Sequence, residues 1–90
     1  MEDESTMTRY NARVEVKLKP GYLDPEGETT KQTLNDLKFS VSKTSVAKVY
    51  EIELEAEDQK TAEKLTEEMC KRLLANPVKD DYSYEVKESK

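Results

Sequence analysis

The stretch Tyr10-Asn11-Ala12-Arg13-Val14-Glu15-Val16-Lys17-Leu18-Lys19 decides the fold. Apolar Tyr10, Ala12, Val14, Val16 and Leu18 alternate with polar Asn11, Arg13, Glu15, Lys17 and Lys19. Successive side chains of an extended chain point to opposite faces, so this period of two predicts a strand with one buried and one solvated face. A sheet built on such strands needs a second layer over its apolar side, and helices are the available cover.

Working outward, residues 1–8 are polar and acidic and are expected to form a disordered tail, leaving residues 9–88 as a single domain. After the strand, Pro20-Gly21 stops pairing, because proline has no amide donor and glycine permits positive φ. An ordered loop is expected up to Gly27, with Pro25 stiffening its exit. Leu34 and Leu37 share a helical face, which predicts a helix over Glu28–Leu37 lying flat on the sheet. Phe39–Ala56 reads as two strands paired as a hairpin around Ala47-Lys48. The second is the clearer, with Tyr50, Ile52, Leu54 and Ala56 alternating with Glu51, Glu53 and Glu55.

Asp58 is placed to cap the next helix. Its apolar face is expected to carry Ala62, Leu65, Met69 and Leu73, widened by Cys70 and Leu74. Asn76-Pro77 ends it, and Tyr82, Tyr84 and Val86 alternate in a last strand. The expected fold class is α+β: a two-layer sandwich of order β-α-β-β-α-β, with a four-stranded, mainly antiparallel sheet and two helices on one face.

Composition limits what such a domain can do alone. Of 90 residues, 34% are hydrophobic and 39% charged, which predicts a thin core that gains from oligomerisation. Cys70 is the single cysteine and there is no histidine, so neither an intrachain disulfide nor a usual zinc site is available. A net charge of −5 disfavours nucleic acid. No apolar run is long enough to span a bilayer, and the N-terminal residues lack the pattern of a secretory signal, so a cytoplasmic protein with no membrane partner is expected.

Candidate chemistry is sparse. Nucleophilic catalysis needs a serine, cysteine or threonine with a positioned base, and histidine is missing. Glu51, Glu53 and Glu55 read as the solvated face of a strand. Gly21 and Gly27 fit neither a Walker loop nor a dinucleotide fingerprint. The element order matches sheets that stack RNA bases on aromatics, but Tyr50, Tyr82 and Tyr84 are in register with the core-facing or oligomer-facing residues. No catalytic, cofactor or metal residue is assigned.

Three segments carry a resemblance to a known family. They are Val14-Glu-Val-Lys-Leu-Lys-Pro-Gly-Tyr-Leu-Asp-Pro-Glu-Gly27, Lys48-Val-Tyr-Glu-Ile-Glu-Leu-Glu-Ala56, and Glu68-Met-Cys-Lys-Arg-Leu-Leu-Ala-Asn-Pro-Val-Lys-Asp-Asp-Tyr82 with the strand that follows. Over about Tyr10 to Lys87 the chain resembles the PurS family, the small subunits of phosphoribosylformylglycinamidine synthases. The resemblance implies a non-catalytic assembly subunit, a dimer or tetramer. It would bridge a large PurL-type synthase subunit, which uses ATP and Mg2+, and a PurQ-type glutaminase subunit, supporting ammonia transfer between them. Lys19, Pro20, Gly21, Asp24, Pro25, Gly27, Lys48, Asn76 and Pro77 are expected in its docking surface, because they lie in loops or at element ends whose identity the core does not demand. The order β-α-β-β-α-β also admits a second reading, a dimeric small-molecule regulatory domain of the amino-acid-sensing type. A third reading, a small enzyme using a carboxylate dyad, would need activity from this chain alone.

Overall fold

The structure is a computed structural model in which residues 7–89 are described. Thr8–Leu18 forms strand β1, Pro25–Asp36 helix α1, Ala47–Ala56 strand β2, Gln59–Met69 helix α2, and Asp80–Glu88 strand β3. A π turn, Cys70–Leu74, continues α2. β1 is the centre of a three-stranded antiparallel sheet of order β2-β1-β3. Val14 lies opposite Tyr50 of β2 and Tyr84 of β3, so the three alternating patterns share one face.

That face is the core. Tyr10, Ala12, Val14 and Val16 are buried, with Ala56 and Val86 beside them. Ile52, Leu54, Tyr50, Tyr82 and Tyr84 pack partly buried around this centre. The opposite face is polar and open, and carries the ion pairs Arg9–Glu53 and Arg13–Glu51 at 3.7 and 4.0 Å. Exposed pairs of this kind add little stability, and here they chiefly keep the face wet.

α2 is the cover. The Asp58 carboxylate accepts the Thr61 amide at 2.8 Å, starting the helix where the sequence predicts. The Gln59 side chain donates to the Val86 carbonyl at 2.7 Å and ties the first turn to β3. The face that meets the sheet is Ala62, Thr66 and Cys70, all fully buried. Of the expected apolar face, Ala62 and Cys70 thus meet the sheet, whereas Met69 is half-buried, Leu65 is exposed and Leu73 is 82% exposed. Two local causes act together. Thr66 returns its hydroxyl to the Ala62 carbonyl at 2.8 Å, so it is buried without an unpaired donor. The π turn, marked by the Ala75 amide donating to the Cys70 carbonyl at 3.0 Å, then adds a residue to the last turn and points Leu74 and Ala75 inward.

Two further expectations are corrected. The sheet has three strands, and Phe39–Val46 is not one of them. Its backbone groups are taken by α1: the Asn35 side chain bonds both the amide (2.8 Å) and the carbonyl (3.1 Å) of Val41, and Asp24 accepts the Val46 amide at 3.0 Å. A chain tied to both ends of a helix cannot also offer a ladder to β2, so no hairpin forms at Ala47-Lys48. Nor does α1 lie on the sheet: it makes no substantial packing contact with any strand or with α2. The helix and the returning segment to Val46 form an arm joined to the sheet only at its ends. Of the expected tail at 1–8, Thr8 belongs to β1, and residues 1–6 lie outside the described residues.

Candidate functional site

The polar loops gather at one end of the sheet, where Lys17 faces Ala47 and Leu18 faces Asp80. β1 leaves through Lys19-Pro20-Gly21-Tyr22, closed by the Tyr22 amide on the Lys19 carbonyl at 3.3 Å. Gly21 has φ +94° and open space around it, so backbone geometry, not room, demands the glycine. Proline followed by a positive-φ glycine is the pattern of a type II turn.

This turn is fastened to the corner before β3. The Lys19 amide donates to the Lys79 carbonyl at 2.7 Å, the Lys19 ammonium meets Asp81 at 3.0 Å, and the Tyr22 hydroxyl donates to the Val78 carbonyl at 3.3 Å. The corner holds itself as well. Asn76 Oδ1 accepts the amides of Val78 and Lys79, and the Asp80 carboxylate accepts the Asn76 amide at 2.9 Å. Pro77 sits in this corner without a backbone donor to satisfy.

Asp24, Pro25 and Gly27 form the root of the arm. Pro25 is the first residue of α1, where a missing amide is harmless. Asp24 is its N-cap: the carboxylate accepts the Gly27 amide at 2.9 Å and the Val46 amide at 3.0 Å. Those two bonds hold its acid below the ordinary carboxylate range. Gly27 is buried, and a Cβ there would stand 2.5 Å from the Thr44 carbonyl oxygen. The Asp24-Pro25-Glu26-Gly27 motif therefore has an internal task, which is to pin the returning strand of the arm onto the start of α1.

Two clefts bring these loops together. One of about 500 Å3 is lined by Lys19, Tyr22, Asp24, Lys43, Ser45 and Asp81. The other, about 240 Å3, sets Lys48 beside Asp24, Glu26, Lys79 and Asp80. Lys19, Pro20, Gly21 and Asp24 thus share one concavity, Lys48 and Asp24 both line the second, and Pro77 joins Lys19 on a third surface near Tyr82. Both clefts set acidic and basic side chains side by side.

One titratable cluster was not singled out in the sequence. Glu67 on α2 accepts a hydrogen bond from the Tyr82 hydroxyl and lies beside Tyr84 and Lys71. Bonding to this carboxylate pushes both tyrosines up to about 12 and holds Glu67 down. These shifts fix neutral phenols and a charged carboxylate at neutral pH, away from the mid-range values that acid–base catalysis uses. The available signal was position: Glu67 directly follows Thr66 and is three residues before Cys70, at the border of the buried face. Among the described residues, no group of three or more His, Cys, Asp or Glu side chains is arranged to hold a metal ion.

Comparison with known proteins shows the family of the chain. Residues 11–88 match the family model described as PurS, phosphoribosylformylglycinamidine (FGAM) synthase. The chain belongs to the PurS family. Among curated PurS subunits, that of Methanocaldococcus jannaschii is 45% identical over 78 residues, covering 86% of this chain and 94% of its own. The PurS subunit of Archaeoglobus fulgidus is 48% identical over 73 residues, covering 80% and 91%. The fold agrees. Thermus thermophilus PurS superposes with a TM-score of 0.82 at 41% identity, over 91% of this chain and 99% of that one. A solved PurLQS structure from Thermotoga maritima contains a chain matching at a TM-score of 0.77 and 32% identity, over 90% and 98%. The resemblance to PurS in the three quoted segments thus extends through nearly the whole domain.

Proposed function

We propose that the chain is a non-catalytic assembly subunit of a phosphoribosylformylglycinamidine synthase. The observation that carries this is PurS family membership over residues 11–88, joined to a matching chain within a PurLQS structure. The complex is an ATP-dependent ligase of purine biosynthesis. It converts formylglycinamide ribonucleotide, glutamine and ATP to formylglycinamidine ribonucleotide, glutamate, ADP and phosphate.

In this reading ATP and Mg2+ belong to the large PurL-type subunit and glutamine hydrolysis to a PurQ-type subunit. The present chain holds the two in register and associates with itself. Ammonia made at one site has to reach the other before water protonates or dilutes it, so a rigid spacer that excludes water supports transfer. Bonded turns such as Lys19–Tyr22 and Asn76–Asp81 supply such rigidity. The docking surface is the loop end of the sheet: Lys19, Pro20, Gly21, Asp24, Pro25, Gly27, Lys48, Asn76 and Pro77, with Gly27 acting from within. No described helix is long and apolar enough to cross a membrane, and a cytoplasmic setting fits the pathway.

The test is assembly from purified parts. Mixed with the large synthase and the glutaminase in glutamine and Mg-ADP, this chain is expected to enter one complex by light scattering. Lys48→Ala is expected to weaken that entry while leaving the isolated fold intact. Complex formation at wild-type affinity by both Lys48→Ala and Asp24→Ala would show that the docking surface lies elsewhere.

A further inference from the structure

One edge of the sheet is unfinished. The strand order ends on β2, and among the described residues the backbone hydrogen bonds of Ala47–Ala56 run only to β1. In an antiparallel ladder, every second residue of an edge strand turns its amide and carbonyl away from the neighbour. β2 therefore presents a row of unpaired backbone groups. The opposite edge is partly covered, because the Val86 carbonyl of β3 accepts the Gln59 side chain. In the order β-α-β-β-α-β a further strand would lie against β2. Phe39–Val46, the segment placed to supply it, is bonded to Asn35 and Asp24 instead.

We infer that the β2 edge takes an extended segment of an assembly partner, with basic side chains at alternate positions and apolar ones between them. This rests on the assembly role proposed above and names a surface that serves it.

The two faces of β2 state what that segment must carry. On the core side Tyr50, Ile52 and Leu54 are only half-buried, and apolar side chains alongside would complete their packing. On the open side Glu51, Glu53 and Glu55 stand in a row. β1 answers these three with two bases: Arg13 is 4.0 Å from Glu51, and Arg9 is 3.7 Å from Glu53. All four of these side chains are more than half exposed, so the carboxylates remain open to further cations.

The same row argues against a second copy as occupant. Two β2 strands pairing antiparallel over their full length about a two-fold axis set Glu51 opposite either its own counterpart or Glu53. Like charges directly opposite destabilise a ladder. A strand bearing lysine or arginine meets the reverse condition, and complementary charge of this kind selects one partner over another. Lys48 lies at the start of β2, so the edge also continues the docking surface proposed at the loop end.

Hydrogen exchange tests the pairing, read residue by residue on the chain alone and in the complex assembled with synthase and glutaminase in glutamine and Mg-ADP. In the free chain every second amide of Ala47–Ala56 should exchange fast. In the complex these amides are expected to slow by about tenfold or more, a period of two that ladder pairing imposes. In parallel, the double variant Glu51→Gln, Glu53→Gln alters exposed side chains and is expected to keep its circular dichroism. Its Kd for the complex should rise about fivefold or more and lose part of its salt dependence. A complex in which the fast β2 amides stay fast would overturn the inference and leave the assembly role standing. Slowing of those amides in the isolated chain as its concentration rises would assign the edge to a second copy and also overturn it. Unchanged affinity of the double variant would overturn the basic character of the segment. Failure of any complex to form would refute the assembly role and this pairing with it.

Discussion

The Tyr82 hydroxyl donates a 2.5 Å hydrogen bond to the Glu67 carboxylate, clamping the C-terminal half of α2 to the start of β3. Bonds of this length between a neutral hydroxyl and a charged acceptor are among the stronger ones in proteins. Here the bond holds the π turn, and with it Cys70, Leu74 and Ala75, over one half of the core.

Stability should therefore fall at both ends of the pH scale. Glu67 has its acid lowered from 4.5, so its contribution is complete above that value and is lost as pH falls. Tyr82 and Tyr84 are raised from 10.0 to about 12, so theirs is complete below 10 and is lost as pH rises toward 12. Urea midpoints measured from pH 3 to 11 should show both declines. In Glu67→Gln the acid-side decline should shrink, because the shifted carboxylate is gone. An identical acid limb in the variant would remove Glu67 from this role.

Gly27 answers to the space around it. With a Cβ placed 2.5 Å from a backbone oxygen, Gly27→Ala forces the arm apart at its root. Overpacking of this sort costs about 1–3 kcal/mol, which denaturant titration can read. Hydrogen exchange should quicken at Val46 and Glu28, whose amides bond Asp24, before it changes in β1.

Lys38 offers the opposite case. It closes α1 with φ +78°, the left-handed position that glycine usually fills. Lys38→Gly should stabilise the arm by about 1 kcal/mol, measured as a rise in urea midpoint. A fall would mean that the side chain makes a contact worth more than the backbone strain.

Cys70 should be chemically quiet. It is fully buried, and burial, helped by nearby Glu67, pushes its thiol up. Since the thiolate is the reactive form, iodoacetamide at neutral pH should label Cys70 only as fast as the native state opens. Rapid labelling under native conditions would contradict the packing of the π turn.

The strands were legible because their signal is local. Alternation in Tyr10–Leu18, Tyr50–Ala56 and Tyr82–Val86 states which side chains face the core, and the register follows. The caps were half legible: Asp58 was read as one, whereas Asp24, followed by Pro25, carried the same signal within a loop expected to run to Gly27. Helix phase on α2 was legible only in part: Ala62, Cys70 and Leu74 were read on the apolar face and do pack on the core, whereas Leu65 and Leu73 do not. Leucine outranks threonine in any apolar count, yet Thr66 is buried because it bonds its own helix, and Leu73 is exposed because the last turn widens. The missing fourth strand failed for a related reason. Asn35 and Asp24 compete for the amides of Val41 and Val46, and that competition lies in side chains 6 and 22 residues away. For the candidate site, the sequence gathered residues by loop membership and the fold divides them by task. Lys19, Pro20, Lys48 and Pro77 are surface, whereas Asp24 and Gly27 build the arm beneath it.

The most direct trial of this account is a glutamine-dependent amidation assay with separately purified subunits. Formation of formylglycinamidine ribonucleotide from glutamine should need this chain together with the synthase and glutaminase, and this chain alone should turn over none of the substrates. Full glutamine-dependent turnover by the other two subunits without it, or turnover by this chain unaided, would contradict the assembly role.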